Sequence, residues 1–306
     1  DARLELLGVP IVALPRMSHP DGSVNGSTGL LVPNARYSRL NGIEVAAPYY
    51  VKLSTDSDLT LTPRIYSKVL PALEVGYRRL TDLGAFQVGG LVTYGERRPG
   101  FFDSDGDGVV REDVRAYLHA NGQLQFDPRW RLTFAGRVAS DKTFLRRYDV
   151  TRDDRLRNFL EAERFGSETY LSVAGWAVQT LRFGDPQGQQ AIALPAIDFR
   201  WRPLDTVLGG RVEAEVNSLG ILRTDGQDTR RALASVRWDL RRVTTAGQRV
   251  TLTGFGRGDI YDSNGNALNP TAAYAGDAGF KSRAIGAAAI DVDWPFAGPL
   301  LGGQQV

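Results

Sequence analysis

The sequence contains no cysteine and only two histidines, His19 and His119, among its 306 residues. A disulfide framework, a cysteine-ligated metal site and a cysteine nucleophile are therefore excluded for this segment. The two histidines are far apart and have unrelated neighbours, which argues against a Ser-His-Asp triad and against a multi-histidine metal centre. The composition predicts that the protein is not an enzyme and has no cofactor.

Long apolar runs are also absent: none approaches the ~18–20 residues that a transmembrane helix needs. The opening residues, DARLELLGVP, lack the basic start and apolar core of a signal peptide. Lys and Arg number 37 and Asp and Glu 35, a balance that argues against a general nucleic-acid binder. From its first and last residues we expect the chain to be an internal segment of a longer protein.

Apolar and polar residues alternate through most of the chain, and helical periodicity is nearly absent. Between Arg211 and Asn217, Val, Ala and Val share one face, and Arg, Glu, Glu and Asn share the other. About fourteen such strands can be counted, each of roughly nine to fifteen residues. They are longer than the ~5–6 residues usual in soluble sheets and sufficient for the ~9–11 residues of a tilted membrane-spanning strand.

The connections between these strands alternate in length. Long polar loops lie near 97–112, 141–156 and 263–278, and short turns lie near 81–83, 127–130, 203–207 and 244–247. Long loops on one side and short turns on the other are typical of outer-membrane barrels, whose strands must all be paired in the bilayer. The pattern predicts an all-β fold, an antiparallel transmembrane β-barrel. A passive porin, an outer-membrane enzyme and a soluble β-sandwich remain alternatives on the pattern alone.

Several motifs occur in a characteristic order and are densest in residues 8–80. They are GVPIVALP (8–15), GLLVPNARY (29–37), PYY (48–50), DLTLTPR (58–64), EVGYR (74–78), DKTFLRRY (141–148), ALP (193–195) and LGGR (208–211). In this order and spacing, the chain resembles the LPS-assembly outer-membrane protein family, LptD, and within it the alphaproteobacterial branch.

The resemblance implies two domains: residues 1–22 would end a periplasmic β-jelly roll and connect it to the barrel, and residues 23–306 would form the N-terminal part of that barrel. It implies a component that passes lipopolysaccharide through the lumen and a lateral gate to the outer leaflet of a Gram-negative outer membrane. The implied partners are lipopolysaccharide, an LptE-like plug lipoprotein and an LptA-like periplasmic bridge protein. Better-known members carry cysteines that join the two domains, whereas this segment has none.

By this resemblance, Pro33 and Pro48 match prolines of the lateral gate between the first and last barrel strands. Proline has no N–H and removes a ladder hydrogen bond, and each lost bond weakens the seam by roughly 0.5–1.5 kcal/mol. Alternatively, both prolines blunt a sheet edge or mark a bulge. A passive porin or sugar channel would have no reason to carry the pair.

Three further residues are candidate lumen contacts for lipopolysaccharide: Tyr50, Arg64 and Arg78. Tyr50 adjoins the predicted gate, and the forked donors of arginine suit phosphate groups. The alternative for the arginines is a solvated lumen wall in which carboxylates such as Glu74 are their neighbours.

Residues 103–108 begin like a calcium-binding loop, with oxygen ligands Asp103, Asp105 and Asp107 followed by Gly108. The twelfth position, however, is Val114, where a bidentate glutamate is required. The segment therefore predicts a polar, glycine-rich loop tip more than a metal site.

Overall fold

In a computed structural model, residues 2–6, 9–14, 27–97 and 111–295 are described, and they form 18 strands and two four-residue helices. The strands are β1 (Ala2–Leu6), β2 (Val9–Leu14), β3 (Gly29–Leu30), β4 (Asn34–Ser38), β5 (Gly42–Ala46), β6 (Tyr49–Lys52), β7 (Ser57–Tyr66), β8 (Ala72–Thr81), β9 (Gly84–Arg97), β10 (Arg111–Gln125), β11 (Trp130–Ala139), β12 (Arg155–Phe165), β13 (Thr169–Thr180), β14 (Ile192–Trp201), β15 (Arg211–Leu222), β16 (Asp228–Val243), β17 (Arg249–Asn264) and β18 (Gly279–Asp293). The helices are α1 (Phe144–Arg147) and α2 (Ala272–Ala275). Within these ranges, no helix has the length and apolar character needed to span a membrane.

All strand pairing in the described residues is antiparallel. β1 and β2 form a two-stranded sheet, and the remaining 16 strands form a single sheet that runs from β4 at one edge to β18 at the other. β3 and β4 are the two halves of one strand path, and β5 and β6 are the halves of the next, since β3 pairs with β6 and β4 with β5. Counted as paths, the sheet has the fourteen strands that the alternation predicts, and the all-β antiparallel fold class is confirmed.

The connections fall into two groups at opposite ends of the sheet. The short predicted turns near 81–83, 127–130, 203–207 and 244–247 all lie at one end, which we call the turn end. The other end, the loop end, carries the longer connections 140–154, 181–191 and 265–278. The predicted loop near 97–112 also joins strands at the loop end, but residues 98–110 lie outside the described residues.

The two faces of the sheet differ in chemistry because side chains alternate along each strand. One face, which we call the charged face, carries most of the arginines and carboxylates of the strands. The other face, the apolar face, carries aliphatic side chains that are between 41% and 72% exposed. They include Val45, Ile65, Leu73, Val88, Leu118, Val138, Leu160, Val173, Val216, Val236, Ile260 and Ile290. An exposed apolar surface of this extent needs an apolar medium or partner to cover it, and apolar-outside, polar-inside alternation is the pattern of outer-membrane barrels.

The hydrophobic core lies at the loop end of the charged face. The connection between β11 and β12 folds back over this face, and we call it the clasp (residues 140–154). Its Phe144, Leu145 and Tyr148 are buried against the sheet. Their partners include Tyr66, Leu91, Tyr117 and Leu156. The clasp therefore covers strands β7 to β12 at one end of the molecule.

A buried ion pair anchors the clasp to β10. Arg115 Nε and Nη2 each donate to a carboxylate oxygen of Asp141 at 2.9 Å, and the Thr143 hydroxyl donates to the same carboxylate at 2.7 Å. The Arg115 guanidinium also lies over the rings of Phe144 and Tyr148, 5.4 and 5.7 Å from their centroids. Burial raises the pKa of Asp141, but the bonds from Arg115 and Thr143 outweigh it, so that the pKa lies below its ordinary value.

The clasp also reaches across to the first strands of the sheet. Arg36 of β4 donates from Nη1 to the Asp149 carboxylate at 2.8 Å and from Nη2 to the Tyr148 carbonyl at 3.1 Å. Asn41, in the turn between β4 and β5, donates to the Arg147 carbonyl at 2.6 Å. The clasp thus connects the edge of the sheet to strands that are more than 100 residues away in sequence.

Asp141→Asn should loosen the clasp. The substitution leaves the Arg115 charge buried without its counter-ion, and breaking a buried pair costs about 3–5 kcal/mol. In the full-length protein, tryptic cleavage after Arg146 and Arg152 should become at least about tenfold faster. The control is Asp277→Asn, which removes an exposed carboxylate from another loop-end connection. Equal cleavage rates in the wild type and Asp141→Asn would contradict an anchoring role.

Docking of the clasp should depend on pH only in acid. Because the folded pKa of Asp141 lies below that of the unfolded chain, its contribution to stability is complete above pH ~4 and is lost as the pH falls through the folded value. Hydrogen exchange of the clasp amides, corrected for intrinsic rates, should be constant between about pH 5 and 7 and rise below about pH 4. Asp141→Asn should lack this transition. Loss of protection already between pH 5 and 7 would show that another group controls docking.

Candidate functional site

The first two strand paths of the sheet both break at a predicted gate proline. Pro33 lies between β3 and β4, and Pro48 lies between β5 and β6. The path that contains Pro33 is also the edge of the described sheet. The structure therefore brings the two prolines together on neighbouring strands at an edge, where missing N–H donors affect pairing most directly.

The ladder around these breaks is one-sided. The Leu31 N–H donates to the Pro48 carbonyl at 2.8 Å. A hydrogen-bonded pair of an antiparallel ladder normally exchanges two bonds, but Pro48 has no N–H to return. The same occurs one strand further on, where the Ala47 N–H donates to the Pro63 carbonyl at 3.2 Å and Pro63 returns nothing. Two successive ladders thus each lose one bond.

A β-bulge coincides with Pro33. Leu30 is opposite Tyr49, and Asn34 is opposite Ala46. Three residues on the edge path therefore face two residues on the next path, which is the geometry of a bulge. Two features therefore coincide at Pro33. One is a bulge at a sheet edge, which is the alternative interpretation, and the other is the loss of N–H donors.

Pro33, Pro48 and Pro63 form what we call the proline row. Ala47 is opposite Pro63, and Pro48 follows Ala47 directly. Pro33 belongs to the bulge that faces this segment. The row crosses three strand paths and separates a turn-side half, which contains β3 and β6, from a loop-side half, which contains β4 and β5.

An ion-pair chain spans the loop-side half on the charged face. Glu44 accepts from Arg36 Nε and from Arg64 Nη1, each at 2.5 Å. Arg64 also donates to Glu74 from Nε at 2.9 Å. The Glu44 side chain is only 3% exposed, and its two arginine partners compensate the burial of the carboxylate. We call this set the ion-pair chain (Arg36, Glu44, Arg64 and Glu74); it connects β4, β5, β7 and β8.

The turn-side half faces a recess of about 800 Å³ on the charged face. Tyr50 and Arg78 both line it, together with the amides of Gln87 and Asn121. Arg78 donates from Nε and Nη2 to the two carboxylate oxygens of Asp58, at 2.9 and 3.0 Å, and this pairing occupies its fork. The structure thus brings Tyr50 and Arg78 into one recess but places Arg64 outside it, in the ion-pair chain.

Arginines further along the charged face are also paired with carboxylates. Arg200 donates to Asp198, and Arg237 donates to Asp239, two residues away on the same strand and face. Asp259 of β17 accepts from Arg257 on its own strand and from Arg283 on β18. These arginines are therefore all bound to carboxylates, which suits a polar lumen wall better than a single high-affinity anion site.

The calcium candidates Asp103, Asp105 and Asp107 lie outside the described residues. Within the part of the chain that the structure describes, no group of three or more His, Asp or Glu side chains could hold a metal ion. Sequence reasoning missed Arg36 and Glu44, as well as the Arg115–Asp141 anchor. Arg36 and Asp141 lie in the motifs GLLVPNARY and DKTFLRRY, but a motif does not show which residue each one pairs with. The pairing depends on strand register and on how the clasp folds back, and neither is a local property of the sequence.

Comparison with known proteins places these features in a family. Residues 113–305 match the family described as LPS transport system D, LptD. LPS-assembly protein LptD of Actinobacillus pleuropneumoniae serotype 5b is 28% identical over 213 residues, which cover 68% of this chain and 26% of that protein. The proteins of the same name from Pectobacterium atrosepticum and Psychrobacter arcticus are 28% identical over 186 residues and 43% identical over 74 residues. These matches cover 60% and 24% of this chain, and 21% and 8% of the respective relatives.

The chain thus spans about a quarter of the length of the Actinobacillus relative. The family match covers well over half of the chain, and it extends the resemblance of residues 8–80 to the strands that follow. This chain belongs to the LptD family of lipopolysaccharide transport proteins.

Proposed function

We propose that this chain is part of a lipopolysaccharide translocon in the outer membrane of a Gram-negative bacterium. It passes lipopolysaccharide through a barrel lumen and a lateral gate to the outer leaflet. The observation that supports this most is the pair of proline breaks at a sheet edge, beside a polar face on one side and an apolar face on the other. A role in transport, with no catalytic step, agrees with the family of the chain.

The two faces would separate the two parts of the substrate. The charged face would line the lumen and accommodate sugars and phosphates, while the apolar face would contact the acyl chains of the bilayer. Lipopolysaccharide contains both chemistries, and its acylated part must leave the barrel sideways. The prolines supply a seam at which fewer hydrogen bonds have to be broken.

The remaining assignments follow from the same proposal. Residues 1–22 end a periplasmic jelly roll and connect it to the barrel of residues 23–306, in agreement with the separate pairing of β1 and β2. An LptE-like plug lipoprotein and an LptA-like periplasmic bridge protein are the protein partners, and nucleic acid is not a partner. Pro33 and Pro48 are gate residues, and Tyr50, Arg64 and Arg78 face the passing lipopolysaccharide.

A passive porin or sugar channel is the alternative function. It would share the barrel, the loops and the polar lumen, but a permanently closed seam would serve it better. The proline row weakens the pairing of the first strands, which a passive pore has no use for. Family membership also favours the translocon.

Passage of lipopolysaccharide should be detectable at Tyr50. A photo-crosslinking residue placed at this position in the full-length protein should form an adduct with lipopolysaccharide in irradiated cells, because Tyr50 lines the recess on the charged face. The adduct should disappear when upstream supply of lipopolysaccharide is blocked. The control position is Tyr49, which precedes it and points to the opposite face. Absence of an adduct at Tyr50 and at further positions of the charged face, with normal assembly, would favour the passive channel.

Restoring the missing backbone N–H donors should slow the opening of the gate. In the double variant Pro33→Val, Pro48→Val, two N–H groups become available, each worth roughly 0.5–1.5 kcal/mol to strand pairing. Pulse-labelled lipopolysaccharide should then reach the cell surface about tenfold more slowly. Pro270→Val, in an exposed loop-end connection, is the matched control. Surface delivery at the wild-type rate, with normal barrel assembly, would remove the gate assignment.

A further inference from the structure

We propose that Pro63 is a third gate residue, and that the gate opens from the turn end while its loop end stays clamped. This proposal rests on the proposed function and specifies how the same site moves. Pro63 acts by positioning the opening and not by contacting the substrate. The proline row marks the boundary between the part that moves and the part that does not.

Pro63 extends the loss of ladder hydrogen bonds beyond the first two strand paths. A gate made only of Pro33 and Pro48 would loosen the edge path against the second path. The one-sided bond between Ala47 and Pro63 loosens the second path against the third at the same level of the sheet. Since the weak points line up across three paths, the paths can flex at this level. β6 stays joined to β7 by four residue pairs and the turn 53–56, so β3 is the strand that can leave.

The loop-side half is held by side chains as well as by its ladder. β4 and β5 pair over five residues, and the ion-pair chain continues their connection through Arg64 to β8. Arg36 is in addition bound to the clasp through Asp149 and Tyr148. Removing β4 from this position would break a partly buried network in which Glu44 has little access to water, so this half resists opening.

The turn-side half has a much weaker connection to the edge. β3 pairs with β6 over only two residues, Gly29 and Leu30, and one further bond runs from Leu31 to Pro48. The Thr28 hydroxyl accepts from the Lys52 N–H at 3.0 Å, close to the turn. A strand end with so few bonds opens at far lower cost than the clamped half, so opening starts at the turn end.

Two cysteine pairs test which half moves. Leu30→Cys with Tyr49→Cys joins the first and second paths on the turn side of the row, and Ala35→Cys with Val45→Cys joins them on the loop side. The members of each pair are directly opposite each other and share a face, as a disulfide between two strands requires. This segment contains no cysteine of its own.

In the oxidised full-length protein, the turn-side crosslink should slow surface delivery of lipopolysaccharide at least about tenfold, because β3 can no longer separate from β6. The loop-side crosslink should change delivery by less than about twofold, because it joins strands that are already clamped. The reduced forms of both variants are the controls. Equal slowing by both crosslinks, or no slowing by the turn-side crosslink, would overturn the proposal.

Hydrogen exchange tests the hinge at the proline row independently of lipopolysaccharide transport. Amides of residues 29–31 should exchange about tenfold faster than those of residues 34–38 in the full-length protein, and Pro63→Val should reduce the difference by about two- to tenfold. Equal exchange on both sides of the row, while lipopolysaccharide is still delivered, would refute the hinge and leave the translocon intact. Unequal exchange in a protein that delivers no lipopolysaccharide would support the hinge and refute the proposed function.

Discussion

The backbone hydrogen-bond ladder is the constraint on which the rest of this structure depends. In a bilayer, strand N–H and C=O groups have no water to bind, so that every strand must pair with its neighbours. The sixteen-stranded sheet meets this demand through an unbroken sequence of antiparallel neighbours from the edge to β18. Within such a sheet, a residue that cannot donate is conspicuous. Pro48 and Pro63 are two of these. Pro48 lies on the path next to the one that would form the seam, and Pro63 lies on the path after that.

Side chains add a second level of control to the same strands. Prolines lower the cost of separating the first strands at one level, whereas Arg36, Glu44 and Arg64 raise it nearer the loop end. The Arg115–Asp141 pair contributes indirectly, because it fixes the clasp that binds Arg36. Weakness and strength are therefore separated along the strands and not distributed evenly. Under the proposed function, a seam built in this way would open at one end without unfolding of the barrel.

Much of the fold could be predicted from the sequence, because alternation and loop lengths are local properties. The segment from Arg211 to Asn217 shows its two faces without any structure, and the breaks at Pro33 and Pro48 follow from the chemistry of proline. The bulge at Pro33 and the alignment of Pro63 could not be predicted, since they depend on register between strands. The position of the clasp could not be predicted either, because its contacts with Arg36 join residues 112 and 113 positions apart.

The paired charges on the charged face have a consequence for transport. An arginine that already holds a carboxylate, such as Arg78 with Asp58, attracts a phosphate less than a free one does, since the field of the pair falls off quickly. A wall of such pairs stays hydrated and polar but offers no high-affinity site that would hold an anionic lipid. A conduit needs this balance, because a strong site would slow release as much as it favours entry. Under the proposed function, the direction of movement would come from supply at one end and from the seam at the other, and the lumen wall would need only to be polar and wide.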